Sequence, residues 1–189
     1  MDIKSFKFSS EGRNLVLNEA RGRDWPVVYL INNKKYLYMG ETSNFFNRFG
    51  QHLNNKQKRG LKDIHVVFDE EFNKSATLDI EQILIRMCSA DQIFNLLNGN
   101  TGQSSRHNYY QREKYLHKIE ETKEVKGIWD CLRDLNLANS TYESIVNSDL
   151  FTYSPYTALT VEQEDVCYNV LNDLLNGLRK ILNMEQHVS

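Results

Sequence analysis

The sequence predicts an α/β fold, with a small, mostly antiparallel three-stranded sheet flanked by helices and followed by a C-terminal helical region. Two runs rich in β-branched and aromatic residues, 27–31 and 36–39, are separated by four polar residues, as in a β-hairpin. A third alternating run at 64–68 supplies another strand. Residues 76–89, and much of the chain from about 108 onward, instead show the helical period of apolar positions.

Composition and length limit the possible classes of protein. The 189 residues are 40% hydrophobic, which is sufficient for a folded core. No apolar run is long enough to span a membrane, and the N-terminus lacks the apolar core of a secretory signal. Cys88, Cys131 and Cys167 are odd in number and widely spaced. We therefore expect reduced thiols and a cytoplasmic location.

The composition changes along the chain suggest three segments. Residues 1–24 are expected to form an N-terminal arm or short strands. Residues 25–103 contain the predicted α/β unit, and residues 104–189 form a helical extension. Within the extension, helices are predicted at 109–122 and 125–138, and capping boxes at Ser140 and Thr160 each precede a further helix.

The hairpin is predicted to place two phenols together. If Asn32–Lys35 forms a four-residue loop, Ile31 pairs with Tyr36, and Tyr29 then lies directly opposite Tyr38. The two tyrosines would emerge side by side on one face of the sheet.

A short helix is expected directly after the hairpin. Gly40 ends the second strand, and Thr42 or Ser43 can cap a helix that starts near Asn44. Arg48 and His52 within it are four residues apart and share one face. In the later helix 76–89, Glu81 lies close to the edge of the apolar stripe.

Charge is distributed unevenly along the chain. The overall net charge is −2, but residues 1–66 carry +6 and the remainder carries −8. A basic loop after the short helix concentrates positive charge, and a basic surface favours binding of a polyanion. The candidate nucleic-acid-binding residues are Lys56, Lys58, Arg59 and Lys62.

The same region contains the side chains needed to hydrolyse a phosphodiester. That reaction requires a base for water, a cation for the developing charge, and protonation of the leaving oxygen. Arginine matches the geometry of phosphate oxygens, and a single carboxylate can hold Mg²⁺ that keeps most of its waters. Tyrosine becomes a base at neutral pH only when its pKa is lowered, which a nearby arginine or metal can do.

The order of these residues resembles the GIY-YIG nuclease superfamily over residues 25–102. The resemblance is carried by Val28-Tyr29-Leu30, by Tyr38-Met39-Gly40 with Thr42, Arg48 and His52, and by Glu81 with a following asparagine. The first motif lacks the family's glycine, since it reads Val27-Val28-Tyr29, and Met39 replaces the usual isoleucine.

The resemblance implies a catalytic role for each residue. Tyr29 would act as, or position, the general base, and Tyr38 would hold the water or the phosphate. Arg48 would stabilise the phosphorane, and His52 would assist proton transfer or bind phosphate. Glu81 would be the one protein carboxylate on Mg²⁺ or Mn²⁺.

The final asparagine of the motif has three candidates. Asn95, Asn98 and Asn100 all follow the glutamate helix, and Asn98 is favoured because Asn98-Gly99-Asn100-x-Gly resembles one branch of the family.

The C-terminal half resembles the segment that links such a nuclease to a helicase in bacterial fusion proteins. The resemblance rests on residues 147–163. No G-x-x-x-x-G-K-[ST] occurs in the sequence, so a helicase would have to be a further domain or a partner.

The sequence thus predicts a metal-dependent DNA endonuclease. Two alternatives stay open: a catalytically silent nucleic-acid-binding module, and a protein-interaction domain of a larger helicase-containing protein. The oligomeric state is also open.

Overall fold

A five-stranded sheet organises the part of the chain that our computed structural model describes, namely residues 1–98 and 123–153 and five positions between 169 and 176. The strand order is β1-β4-β2-β3-β5, and all neighbours are antiparallel except β3 and β5, which are parallel. The strands are β1 (Asp2–Lys7), β2 (Val27–Asn32), β3 (Tyr36–Thr42), β4 (Asp63–Phe68) and β5 (Asn95–Leu96).

The α/β class is confirmed, and the three predicted strands form the centre of the sheet. β4 pairs with β1 on one side and with β2 on the other, so Ile64 to Phe68 are all buried. β1 and β5 extend the predicted sheet to five strands. Their pairing joins residues far apart in sequence, such as Asp2 with Phe68, which local patterns do not reveal.

Six α-helices lie within residues 1–98 and 123–153. They are α1 (Ser10–Leu15), α2 (Phe45–Leu53), α3 (Lys74–Asp91), α4 (Lys123–Asp134), α5 (Tyr142–Val146) and α6 (Asp149–Tyr153). Two short 3-10 helices, Val16–Asn18 and Lys56–Lys58, follow α1 and α2.

Two predicted N-caps are wrong by one or two residues. Asn44 caps α2 by accepting a hydrogen bond from the Asn47 backbone, whereas Thr42 accepts from the backbone of Asn44 itself. Thr141, not Ser140, caps α5. The predicted helix at 109–122 lies outside the described residues, and of the helix predicted to open at Thr160 only the five positions between 169 and 176 are described, all of them helical.

The sheet is covered on both faces. One face, which includes Leu30 and Met39, packs against α3 and the helices α4 to α6. The opposite face, which includes Tyr29, packs against Phe45 and Phe49 of α2. The polar candidate residues of the hairpin therefore lie on the α2 side of the sheet.

The C-terminal helices are attached to α3 by polar contacts as well as by the apolar core. Asp91 accepts hydrogen bonds from the backbones of Asn139 and Ser140, and Arg86 donates to the carbonyl of Phe151. Trp129 is fully buried among these helices. Within the described ranges, no helix has both the length and the apolarity that crossing a membrane would require.

Candidate active site

The hairpin does bring Tyr29 and Tyr38 to one face of the sheet, but not directly opposite one another. Tyr29 pairs with Gly40, and Tyr38 pairs with Ile31, so the two tyrosines are diagonal neighbours. Their ring centroids are 6.3 Å apart. The predicted register is wrong by two residues, and because that shift is even, the shared face is preserved.

The shift in register has a cause in the turn. Asn32 pairs with Leu37 as part of the ladder, and the Asn33 backbone N–H donates to the carbonyl of Tyr36. The Asn33 side chain also accepts hydrogen bonds from the backbones of Lys35 and Tyr36. This Asx-type turn shortens the loop to Lys34 and Lys35.

Gly40 makes room for the Tyr29 side chain. A Cβ built on Gly40 would lie 2.3 Å from Tyr29 Oη and 2.5 Å from Cζ, so any other residue here would require the phenol to move. The glycine is therefore required by the close approach of the phenol that crosses it. Because Tyr29 is also 0% exposed, little room remains for its oxygen to move.

The helix α2 places two side chains on the phenol oxygen of Tyr29. His52 Nε2 lies 2.7 Å from Tyr29 Oη, and Arg48 Nε donates to the same oxygen at 3.2 Å. The face of α2 that carries Arg48 and His52, predicted from their i,i+4 spacing, therefore points at the hairpin. Arg48 also donates to Gln51 on the solvent side.

His52 is buried and bonded through both ring nitrogens. Its second nitrogen, Nδ1, lies 2.7 Å from Lys58 Nζ. Burial, together with the positive charges of Lys58 and Arg48, lowers the pKa of His52 to about 3, so the imidazole is neutral at physiological pH. With both nitrogens occupied, neither ring nitrogen of His52 is left to contact a phosphate directly.

Lys58 lies inside the protein, unlike the other residues of the basic loop. Its side chain is 6% exposed, and Nζ lies 2.9 Å from the centroid of the Tyr38 ring. Lys56, Arg59 and Lys62 are exposed. In the sequence, Lys58 is one of four basic residues in the same loop. Asn55, which caps the 3-10 turn at Lys56–Lys58, is the residue type that could have indicated a turn directing Lys58 inward.

Burial dominates the electrostatics of the two phenols. It raises the pKa of Tyr29 above its ordinary value, and the charge and hydrogen bond of Arg48 oppose this only in part. Burial likewise raises the pKa of Tyr38. The lowering of the tyrosine pKa by Arg48 is therefore outweighed by the effect of burial, and both tyrosines are neutral.

Glu81 acts on the phenols from α3. Its negative charge contributes to the raised pKa of both Tyr29 and Tyr38, as expected for a carboxylate close to both phenols. Glu41 belongs to β3, and Lys74 neutralises it at 2.5 Å. Of these two carboxylates, Glu81 is the one whose charge reaches the phenols.

The donor set fits a hard cation held by one carboxylate. Among the described residues, no three His, Cys, Asp or Glu side chains converge as a metal cluster would require. Mg²⁺ does not need such a cluster, since it keeps several waters and binds through one or two carboxylates plus substrate phosphate. Glu81, whose charge reaches both phenols, is a carboxylate that could hold such a cation.

Asn98 supports the second tyrosine motif through the backbone. Its amide nitrogen donates to the carbonyl of Met39 at 2.8 Å, and its Oδ1 accepts from the Met39 N–H at 2.9 Å. These two bonds continue the β3–β5 pairing beyond β5. Asn95 is instead part of β5 and pairs with Tyr36, while Asn100 lies outside the described residues.

A family model described as "GIY-YIG catalytic domain" matches residues 26–91. The matched segment covers about a third of the chain and runs from just before β2 to the end of α3. It contains the hairpin, α2 and Glu81, and it supports a nuclease-type function. No curated protein and no solved structure matches the chain. The predicted relation to nuclease–helicase fusions therefore stays a prediction.

Proposed function

We propose that this protein is a metal-dependent DNA endonuclease that hydrolyses phosphodiester bonds at the site formed by Tyr29, Tyr38, Arg48, His52 and Glu81. The observation that carries the proposal is the convergence of Arg48 and His52 on Tyr29 Oη over Gly40, inside the segment that matches the nuclease family.

The groups that can give or take a proton in this site support Tyr29 as the one nearest the attacking water. A buried neutral phenol takes a proton from water only if it releases its own. His52 Nε2, 2.7 Å away, is the acceptor in reach. Tyr29 and His52 then act together as the general base.

Arg48 and Glu81 supply the charge that the reaction needs. Arg48 donates one N–H to Tyr29 and another to Gln51, and the N–H groups left over can donate to the phosphate as negative charge builds on the phosphorane. Glu81 would hold Mg²⁺ or Mn²⁺, which when bound stabilises charge on phosphate and leaving oxygens. Tyr38 lies beside Tyr29 and orients the water or the phosphate.

The exposed basic residues Lys56, Arg59 and Lys62 are placed to contact the DNA backbone. Such contacts add affinity without sequence information, so binding should weaken steeply as salt is raised. Asn98 holds the Met39 backbone and so fixes the strand that carries Tyr38. We assign it a positioning role.

A plasmid-nicking assay with Mg²⁺ or Mn²⁺ tests the proposal. We expect the wild-type chain to nick supercoiled DNA, and Glu81→Gln and Arg48→Ala each to lower the rate by about 10³-fold. Glu70→Gln is the matched control, because Glu70 is an exposed carboxylate at the opposite end of β4 from the basic loop.

The assay also separates the alternatives. Salt-dependent DNA binding without cleavage under any metal condition would assign the silent binding module. Absence of DNA affinity at low salt would favour the protein-interaction domain. Cleavage that survives both Glu81→Gln and Arg48→Ala would remove this site from the reaction.

A further inference from the structure

Lys58 is a buried amine whose nearest polar partner is an imidazole. Lysine is rarely buried this completely, and when it is, the usual partner is a carboxylate. Here Nζ lies 2.7 Å from His52 Nδ1 and 2.9 Å from the centroid of the Tyr38 ring. A lysine that served only to attract DNA would keep its ammonium in water.

Three groups form a continuous hydrogen-bonded line that starts at the candidate base and ends at Lys58. Tyr29 Oη lies 2.7 Å from His52 Nε2, and His52 Nδ1 lies 2.7 Å from Lys58 Nζ. A neutral imidazole donates through one nitrogen and accepts through the other. An ammonium at Lys58 has no lone pair and must donate, whereas a neutral amine can also accept, so both hydrogen bonds can reverse only when Lys58 is neutral.

The two directions have opposite consequences for Tyr29. When Lys58 is an ammonium, it donates to Nδ1, and His52 Nε2–H then donates to Tyr29 Oη, as Arg48 also does. The phenol has no acceptor for its proton along this line. When Lys58 is an amine, it accepts from Nδ1–H, and Tyr29 O–H donates to Nε2.

The surroundings allow both states near neutral pH. Burial, followed by the charge of Arg48, lowers the pKa of Lys58 to about 7. The groups that face this line are Arg48 and His52 from α2, Tyr29 from β2 and Tyr38 from β3, and Glu81 on α3 acts on the two phenols.

We propose that Lys58 is a positioning residue that ends a Tyr29–His52–Lys58 proton relay and, as a neutral amine, orients the relay to draw a proton from Tyr29. This inference rests on the proposed nuclease function. It separates Lys58 from the exposed lysines with which its place in the sequence groups it.

The relay balances as a hydrolysis. The water oxygen bonds to phosphorus and its proton passes to Tyr29 Oη, while the phenol proton moves to His52 Nε2 and the Nδ1 proton moves to Lys58 Nζ. The bond from phosphorus to the leaving oxygen breaks, and that oxygen takes a proton from solvent water. Lys58 afterwards returns its proton to solvent.

Single-turnover cleavage of a short duplex, measured across pH with DNA affinity determined in parallel, tests the role. Lys58→Met removes the amine, and Lys58→Arg keeps a cation that stays charged. We expect both to lower the cleavage rate by about 10–100-fold and to abolish the rise in rate around pH 7, with Kd for DNA changed less than about twofold.

The control is Lys34→Met, because Lys34 is an exposed lysine in the hairpin turn; it should leave the rate and the pH profile unchanged. If Lys58→Met instead raises Kd for DNA but keeps the wild-type cleavage rate and pH profile, Lys58 is a phosphate contact and the proposal is overturned.

A second measurement reads the relay without cleavage. Nitrogen NMR of His52 in the full chain, titrated between about pH 5 and 9, should show the imidazole change from the Nε2–H to the Nδ1–H tautomer as Lys58 loses its proton. The change should be absent in Lys58→Met and Lys58→Arg. A single His52 tautomer throughout in the wild type overturns the relay, even if DNA is cleaved. A tautomer change in a chain that does not cleave DNA leaves the relay standing and removes the proposed function.

Discussion

One buried histidine, His65, belongs to the sheet, another, His52, lies on a helix packed against it, and the two differ in what surrounds them. His65 on β4 is 9% exposed and bonded to Ser5 Oγ at 2.7 Å and to Asn32 Oδ1 at 3.1 Å. His52 on α2 is 4% exposed and bonded to a phenol and an amine. Burial lowers the pKa of both imidazoles.

The difference lies in the partners. A hydroxyl and an amide do not titrate near neutral pH, and the amide oxygen requires an N–H from His65, so one tautomer is fixed. The partners of His52 can both exchange protons. A buried, doubly bonded histidine is therefore not by itself a sign of catalysis, and the chemistry of its neighbours decides.

The comparison is tested most strongly by the same substitution at both histidines. We expect His52→Gln to lower the single-turnover cleavage rate by about 100-fold, because the phenol loses its proton acceptor. His65→Gln should leave the rate within about twofold while lowering Tm, because only a structural hydrogen-bond pair is lost. Equal losses of rate at the two positions would show that His52 also acts through stability alone.

A second test uses two glycines. Gly40→Ala forces the Tyr29 phenol away from its position, and we expect about a tenfold or greater loss of cleavage rate, in keeping with the sensitivity of catalysis to small misplacements. Gly60→Ala is the control, because the nearest atom to its new Cβ is Asn33 Nδ2 at 3.8 Å. Retained activity in Gly40→Ala, with the fold intact by circular dichroism, would contradict a fixed phenol.

The smallest expected effect is on stability as a function of pH. The folded-state pKa of Lys58, about 7, is below the ordinary 10.5, so the unfolded chain binds the extra proton between these values and the wild type gains stability as pH rises through them. Lys58→Met should therefore be the more stable protein at pH 6, with the advantage shrinking toward pH 10. We expect a difference of order 1–3 kcal/mol at pH 6, or about 2–10 °C in Tm by thermal melting. An advantage that grows with pH would contradict a buried amine that loses its proton.

Local signals in the sequence specified much of the fold and the candidate site. Short apolar runs and helical spacing placed Tyr29, Arg48, His52 and Glu81 on the elements where they lie. The register of the hairpin was missed because an Asx turn at Asn33 closes a shorter loop than four polar residues suggest. Turn geometry depends on one side-chain hydrogen bond, which residue type alone does not determine.

Features that depend on contacts between distant segments could not be predicted from the sequence. β1 pairs with the distant strand β4, and Asn98 bonds Met39 where β5 pairs with β3. In the sequence, Lys58 is not distinguishable from the other residues of the basic loop. Its inward direction follows from the turn after α2 and the space beside the Tyr38 ring.

Tyr29→Phe provides the most direct test of the account. Phenylalanine keeps the ring over Gly40 and removes only the oxygen on which Arg48 and His52 converge. With DNA binding measured on the same duplex, we expect the single-turnover cleavage rate in Mg²⁺ to fall by about 100–1,000-fold and Kd to change less than about threefold. A Tyr29→Phe protein that binds and cleaves the duplex within about twofold of the wild-type rate would contradict the account.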